Sequence, residues 1–298
     1  MTLSQHIKDS AAKLGFDACG MARSQSLPDE MEHYKRWLDK GYNAGMSYMH
    51  NYPDIRNNPE LLIENAKTVI VTLSNYYPQQ DQDPDIPQIA KYAYGRDYHK
   101  VLLKKHKLLL HDIQEKQACN GRIFVDSAPV LERSWAVKAG LGWIGKSSML
   151  ISPSVGVHTL ISGIVLDIEV ERYDSPLARD CGKCTRCIDA CPNHAIVAPK
   201  VVDANKCISY LTIEHRGPFT GIKSLDHNIF GCDRCIDVCP FNKKTPHRVE
   251  EFNPKEIILS LDKDSWMKMD EKSFNLTFNG TPVKRAKYEG IRRNLKHI

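Results

Sequence analysis

Hydrophobic positions recur at helical spacing from the start of the chain, where Leu3, Ile7, Ala11 and Leu14 share one face. That pattern predicts an amphipathic helix packed on a folded body. Three later stretches, KTVIVTLS (67–74), GRIFVD (121–126) and HTLISGIVL (158–166), are short, apolar and rich in β-branched residues, and predict strands. Between the first two, a long helix is expected from about Tyr98 to Gln117, with leucines at 102, 103, 109 and 110. A further helix is expected in APVLERSWAVKA (128–139), with Pro129 in its first turn and Gly140 as its stop. YYPQQDQDPDIP (76–87) is a polar, proline-bearing loop, and DSPLARD (174–180) is a joint. Alternating helices and strands make residues 1–172 an α/β unit. Residues 173–250 form a second unit, and 251–298 resume a short helical pattern that ends in a basic segment.

A chain of 298 residues suffices for one large domain or two ordinary ones. Its net charge of +5 is unevenly placed: the last eighteen residues hold six Lys/Arg against one Glu. Such a segment suggests a polyanion partner, a solvated charged helix being the plainer reading. No apolar run approaches the ~18 residues of a membrane helix, and the N-terminus does not read as a signal peptide. Eight of the ten cysteines crowd between 181 and 239. Without an export signal, that crowding speaks for metal rather than disulfides and for a cytosolic protein.

The run CGKCTRCIDACP (181–192) carries four cysteines, whereas its echo GCDRCIDVCP (231–240) carries three, with Ile229 where a first cysteine would stand. A C-x2-C-x2-C loop wraps its thiolates around one [4Fe–4S] cube, and in two-cluster ferredoxins the cysteine before proline ligates the other cube. By that rule Cys181, Cys184, Cys187 and Cys239 hold one cluster. Cys191, Cys232 and Cys235 begin the second, and Cys207 substitutes for the missing ligand. Cys19 and Cys119 read as ordinary buried thiols. Two structural zinc sites would also use eight cysteines, but the three-cysteine loop and the Cys-Pro ending favour iron–sulfur.

GLGWIGKS (140–147) satisfies the phosphate-loop pattern. It follows a helix and precedes a β-like, proline-broken stretch, the reverse of the required order, so nucleotide hydrolysis is rejected. Asp126 closes the strand RIFVD; it is either an N-cap of the next helix or a carboxylate facing a cavity. KYAYGRDYHK (91–100) and IEHRGP (213–218) are dense polar segments without decisive spacing.

Taken together, IRNNPELLIENAKTVIV (55–71), YGRDYHKVL (94–102), VDSAPVLER (125–133), AGLGWIGKSSMLI (139–151), both cysteine runs, CISYLTIEHRGP (207–218) and NGTPVKRAKYEGIRRN (279–294) resemble the epoxyqueuosine reductases almost end to end. The resemblance implies an α+β protein: a cobalamin-binding α/β domain related to that of reductive dehalogenases (1–172), a two-cluster ferredoxin-like domain (173–250) and a basic C-terminal segment contacting tRNA (251–298). It implies base-off cobalamin fed by the nearer cluster, Asp126 as proton donor, and a tRNA substrate with epoxyqueuosine in its anticodon loop. The expectation is that burial beside the corrin desolvates Asp126 and keeps its proton. Arg56, Tyr94, His99, Asp126, Lys146 and Ser147 are the expected cofactor contacts, and Lys284, Arg285, Lys287, Arg292 and Arg293 the expected tRNA contacts. The GVHTLISGIVLD segment (156–167) departs from the family's aromatic run, and the helical-repeat extension of longer members is expected to be lacking. A monomer with an external electron donor is expected. The rivals are a corrinoid reductase of small molecules, which would not need the basic segment, and an electron-carrier or corrinoid-reactivating protein with no substrate of its own.

Overall fold

The computed structural model describes residues 1–221 and 224–298. Its centre is a four-stranded antiparallel sheet in the order Ala18–Arg23, Thr68–Asn75, Thr159–Leu166, Gly121–Phe124. Every residue of Thr68–Asn75 is buried, because both faces of the sheet are covered. Ile70 and Ile164 pair across the strands and point to one face. There they meet the N-terminal helix Leu3–Lys13 and the long helix Tyr98–Lys116 through Ile7, Ala11, Leu102 and Leu109. Val69, Val71 and Val165 point to the other face, against Trp135 and Ala136 of the helix Glu132–Lys138.

The three predicted strands and the long helix stand within a residue or two of their expected ends. The strand Ala18–Arg23 was missed, and the helix expected from 128 begins only at Glu132. Gly140 does stop that helix: its φ is +71°, and its N–H donates to the Val137 carbonyl. GLGWIGKS then runs into a small hairpin, Trp143–Ile144 with Leu150–Ile151, in which no helix follows the glycines. The rejection of a phosphate loop therefore stands.

Beyond the joint, each cysteine run forms one short helix of identical sequence, Arg186–Asp189 and Arg234–Asp237, both RCID. The strand Asn228–Phe230 pairs in parallel with Gln88–Ile89 and stitches this region onto the first. Ile229, at the place of the absent cysteine, is fully buried in that strand. The last segment is a helical layer rather than a loose tail. Its Trp266, Phe274, Phe278 and Ile291 share a core with Ile89, Tyr94 and Phe230. No helix among the described residues is long and apolar enough to cross a membrane.

Candidate active site

Asp126 lies just past the end of its strand, at the centre of a tight turn in which the Ser127 N–H reaches the Val125 carbonyl at 2.6 Å. Its φ is +59°, a conformation costing a non-glycine residue about 1–2 kcal/mol. A three-residue turn with positive φ is the rarer, strained form, and strain of this kind gathers at functional sites. The helix starts six residues later and takes no cap from Asp126, so the N-cap reading is set aside. The carboxylate is instead 61 % exposed, with Tyr98, His99, Glu132 and Arg133 about it.

The charge state of Asp126 follows from its partners. Its Oδ2 accepts from the Tyr98 hydroxyl at 2.8 Å and faces His99 Nε2 at 3.2 Å. The other ring nitrogen of His99 lies 2.8 Å from Asp97 Oδ1. An imidazole with a carboxylate at each nitrogen can donate to both only when doubly protonated. Burial opposes that charge, but the hydrogen bonds to Asp126 and Asp97 overcome it and push the His99 pKa up to about 9. The same bond from His99, helped by Tyr98, holds Asp126 below the usual carboxylate range, although burial works the other way. The expected desolvation concerned a site covered by a corrin; in the chain itself the hydrogen bonds from His99 and Tyr98 outweigh burial at Asp126 and favour the proton on His99. Beside the pair, burial and the charge of Asp126 push Glu132 up to about 8. Tyr98, Asp97 and Glu132 escaped the sequence reading; Glu132 stands in the same VDSAPVLER stretch as Asp126, which was the available signal.

The eight clustered cysteines are free thiols in two neighbourhoods. Cys239 is raised by burial and then by Cys181, Cys187 and Cys184. Cys235 is raised by burial and then by Cys232, Cys207 and Cys191. Each group of four is drawn from stretches far apart in sequence. The Ala195 N–H donates to Cys191 Sγ at 3.2 Å, a contact of the kind that tunes cluster sulfurs. Among the described residues no three His, Cys, Asp or Glu side chains gather on a point that would hold a single ion. Two sets of four thiols, spread yet mutually near, fit two cubane clusters by their donor chemistry. Cys19, half-buried and pushed up to about 12 by desolvation, and Cys119 stand apart.

The small hairpin links the acid to the first cysteine set. Arg133 donates to the Ser148 carbonyl at 2.5 Å, and a side chain at Gly145 would come within 3.5 Å of Cys181 Sγ. Lys146 reaches the Gly182 carbonyl at 2.8 Å. An exposed carboxylate bonded to Tyr98 and His99, joined through the hairpin to the first thiol set, suits proton donation beside a redox cofactor.

The family described as "Epoxyqueuosine reductase QueG, DUF1730" matches residues 56–127, and "4Fe-4S double cluster binding domain" matches 180–242. Epoxyqueuosine reductases of Cyclobacterium marinum and Cellulophaga algicola are 44 % and 45 % identical to the chain; each alignment covers 99 % of it and 96 % and 97 % of the relative. The chain belongs to the epoxyqueuosine reductase family. A crystal structure of an epoxyqueuosine reductase with an epoxyqueuosine-modified tRNA stem loop superposes with a TM-score of 0.88 at 26 % identity, over 98 % of this chain and 80 % of that one.

Against that family frame, the remaining expected contacts divide. Tyr94 is 2 % exposed, in the C-terminal core, with its hydroxyl facing the Gln82 N–H at 3.4 Å. It cannot touch a cofactor, and that expectation is corrected. Ser147 is buried beside Lys146, while Arg56 lies over the Tyr34 ring and donates to Asn51. Of the expected tRNA contacts, Lys284 and Lys287 are exposed. Arg285 is held by both oxygens of Glu214, and Arg292 donates to Met267. Arg293 turns inward to the carbonyls of Leu211, His215 and Gly217 and covers the Phe219 ring at 4.2 Å. Its guanidinium, already spent on the IEHRGP loop, is a structural clamp, so the five do not form one free basic strip.

Proposed function

We propose that this chain is a cytosolic, monomeric reductase that converts epoxyqueuosine to queuosine at the wobble position of tRNA. Likeness to epoxyqueuosine reductases along nearly the whole chain carries the reading. Removing the epoxide oxygen as water leaves an alkene and consumes two electrons and two protons. When bound, two [4Fe–4S] clusters on the eight cysteines and cobalamin beside Asp126 would supply the electrons, drawn from an external donor.

The chain's own residues handle the protons. A breaking C–O bond leaves an alkoxide, a poor leaving group unless an acid protonates it, and a placed acid is worth 10²–10⁴-fold. The Asp126 carboxylate, bonded through Oδ2 to Tyr98 and His99, is exposed and meets the substrate oxygen. It passes the His99 proton to the oxygen, and Asp97 at the far nitrogen steadies the imidazolium. Tyr98 fixes the carboxylate rotamer. Residues 1–172 carry this chemistry, 173–250 the cluster ligands, and 251–298 the RNA surface. Lys284 and Lys287 meet anticodon phosphates. Near them, a recess of about 540 Å³ lined by Phe219, Tyr288, Arg292 and Lys296 suits a splayed base and its phosphate.

Asp126→Asn in the fully loaded enzyme tests the assignment. It should retain iron, corrin and tRNA binding and lose turnover by 10²-fold or more; wild-type turnover refutes the role of Asp126.

A further inference from the structure

Nothing so far accounts for what keeps Asp126 in its strained turn. The chain leaves the sheet at Phe124, so the Asp126 N–H has no ladder partner; it donates instead to Glu132 Oε1 at 2.6 Å. Glu132 is well anchored for this. It opens the helix Glu132–Lys138, whose Trp135 and Ala136 are buried against the sheet, and its neighbour Arg133 is tied to Ser148. Between the two ends of this bond, residues 127–131 hold only a second tight turn, Val130 N–H to the Ala128 carbonyl at 2.8 Å. The acid therefore sits on a short irregular segment whose conformation is unfavourable in itself.

We propose that Glu132 is a positioning residue that latches the backbone of Asp126 and so aims its carboxylate at Tyr98 and His99. Without the latch, φ at Asp126 relaxes to the negative values that L-residues favour, and the carboxylate swings away from Tyr98 and His99. The carboxyl acts here as a hydrogen-bond acceptor. It does so in either protonation state, so the latch does not depend on titration of Glu132. This inference rests on Asp126 being the acid, but the latch itself has a readout that needs no turnover.

Two variants separate the possibilities. Glu132→Gln keeps an acceptor oxygen at the same reach; Glu132→Ala removes it. Hydrogen–deuterium exchange of the peptide spanning 125–131, in cluster-loaded enzyme with unchanged iron content, should quicken on the order of tenfold in Glu132→Ala and stay as wild type in Glu132→Gln. Single-turnover reduction should fall by a similar factor in Glu132→Ala, with tRNA affinity unchanged, and be rescued in Glu132→Gln. Wild-type exchange in Glu132→Ala would overturn the latch. A Glu132→Gln variant as impaired as Glu132→Ala would also overturn it, because Glu132 would then be needed for its proton or charge. Quickened exchange without loss of rate would leave the latch intact and point to an acid other than Asp126.

Discussion

Replacing His99 by Gln should remove the proton that the site holds at neutral pH. In the wild type the pKa of about 9 keeps His99 protonated; at pH 7.5 that is about 97 % of molecules. Glutamine keeps a polar group beside Asp126 but supplies no titrating proton. The acid is then Asp126 alone, and a carboxyl near its ordinary ~3.9 is protonated in only about one molecule in 4,000 at pH 7.5. The donor population falls by roughly 4 × 10³, within the 10²–10⁴ that a placed acid contributes, so the single-turnover rate should drop by about 10³-fold or more. The shape of the pH profile is more telling than the drop. Wild type should stay flat to about pH 8.5 and decline as His99 deprotonates near 9; His99→Gln should already lose tenfold per pH unit from about pH 5 upward. Rapid-quench assays of loaded enzyme on modified stem-loop RNA from pH 5.5 to 9.5 read both. The linkage to stability has the same sign. A histidine raised in the fold stabilises fully below its unfolded ~6.5 and loses that contribution as pH rises through about 9. The ring is 39 % exposed, so screening reduces this to about 1–2 kcal/mol. A His99→Gln enzyme with the wild-type profile would refute the relay.

The cysteines and the basic residues can be tested in the same way. Cys207→Ser should lower iron from about eight to about four per chain, whereas Cys119→Ser should leave it unchanged; colorimetric iron with electron paramagnetic resonance checks both. Reversing Lys284 and Lys287 to Glu should reduce the slope of log affinity against log salt for the stem loop by about 1.5 or more. Arg293→Ala should instead cost about 1–3 kcal/mol of stability, through carbonyls left unpaired, and a denaturant titration distinguishes the two effects.

Local spacing made part of this site legible. Two cysteine runs with one gap pointed to Cys207, and the structure gathers it with Cys191, Cys232 and Cys235. Short apolar runs rich in β-branched residues marked three of the four strands of the sheet. The strand Ala18–Arg23 escaped because ACGMAR is not a β-like composition. Its Gly20 is there for contact rather than propensity, since a side chain would strike the Ala139 carbonyl at 2.1 Å. The state of Asp126 was illegible for a different reason. Burial alone argues for a retained proton, and nothing in RIFVD indicates that His99, 27 residues earlier, lies across from it. His99 was itself legible only as one polar residue of a dense motif; that it has a carboxylate at each nitrogen is a tertiary fact. Tyr94, four residues before Tyr98 in the same motif, shows how finely the chain divides that motif: one ring is sunk in the C-terminal core with its hydroxyl at the Gln82 N–H, the other's hydroxyl meets the acid. Arg293 makes the corresponding point for charge. A count of basic residues cannot separate a solvated cation from one whose hydrogens are committed to three backbone carbonyls, and only the second kind can be removed at a cost to folding rather than to RNA affinity.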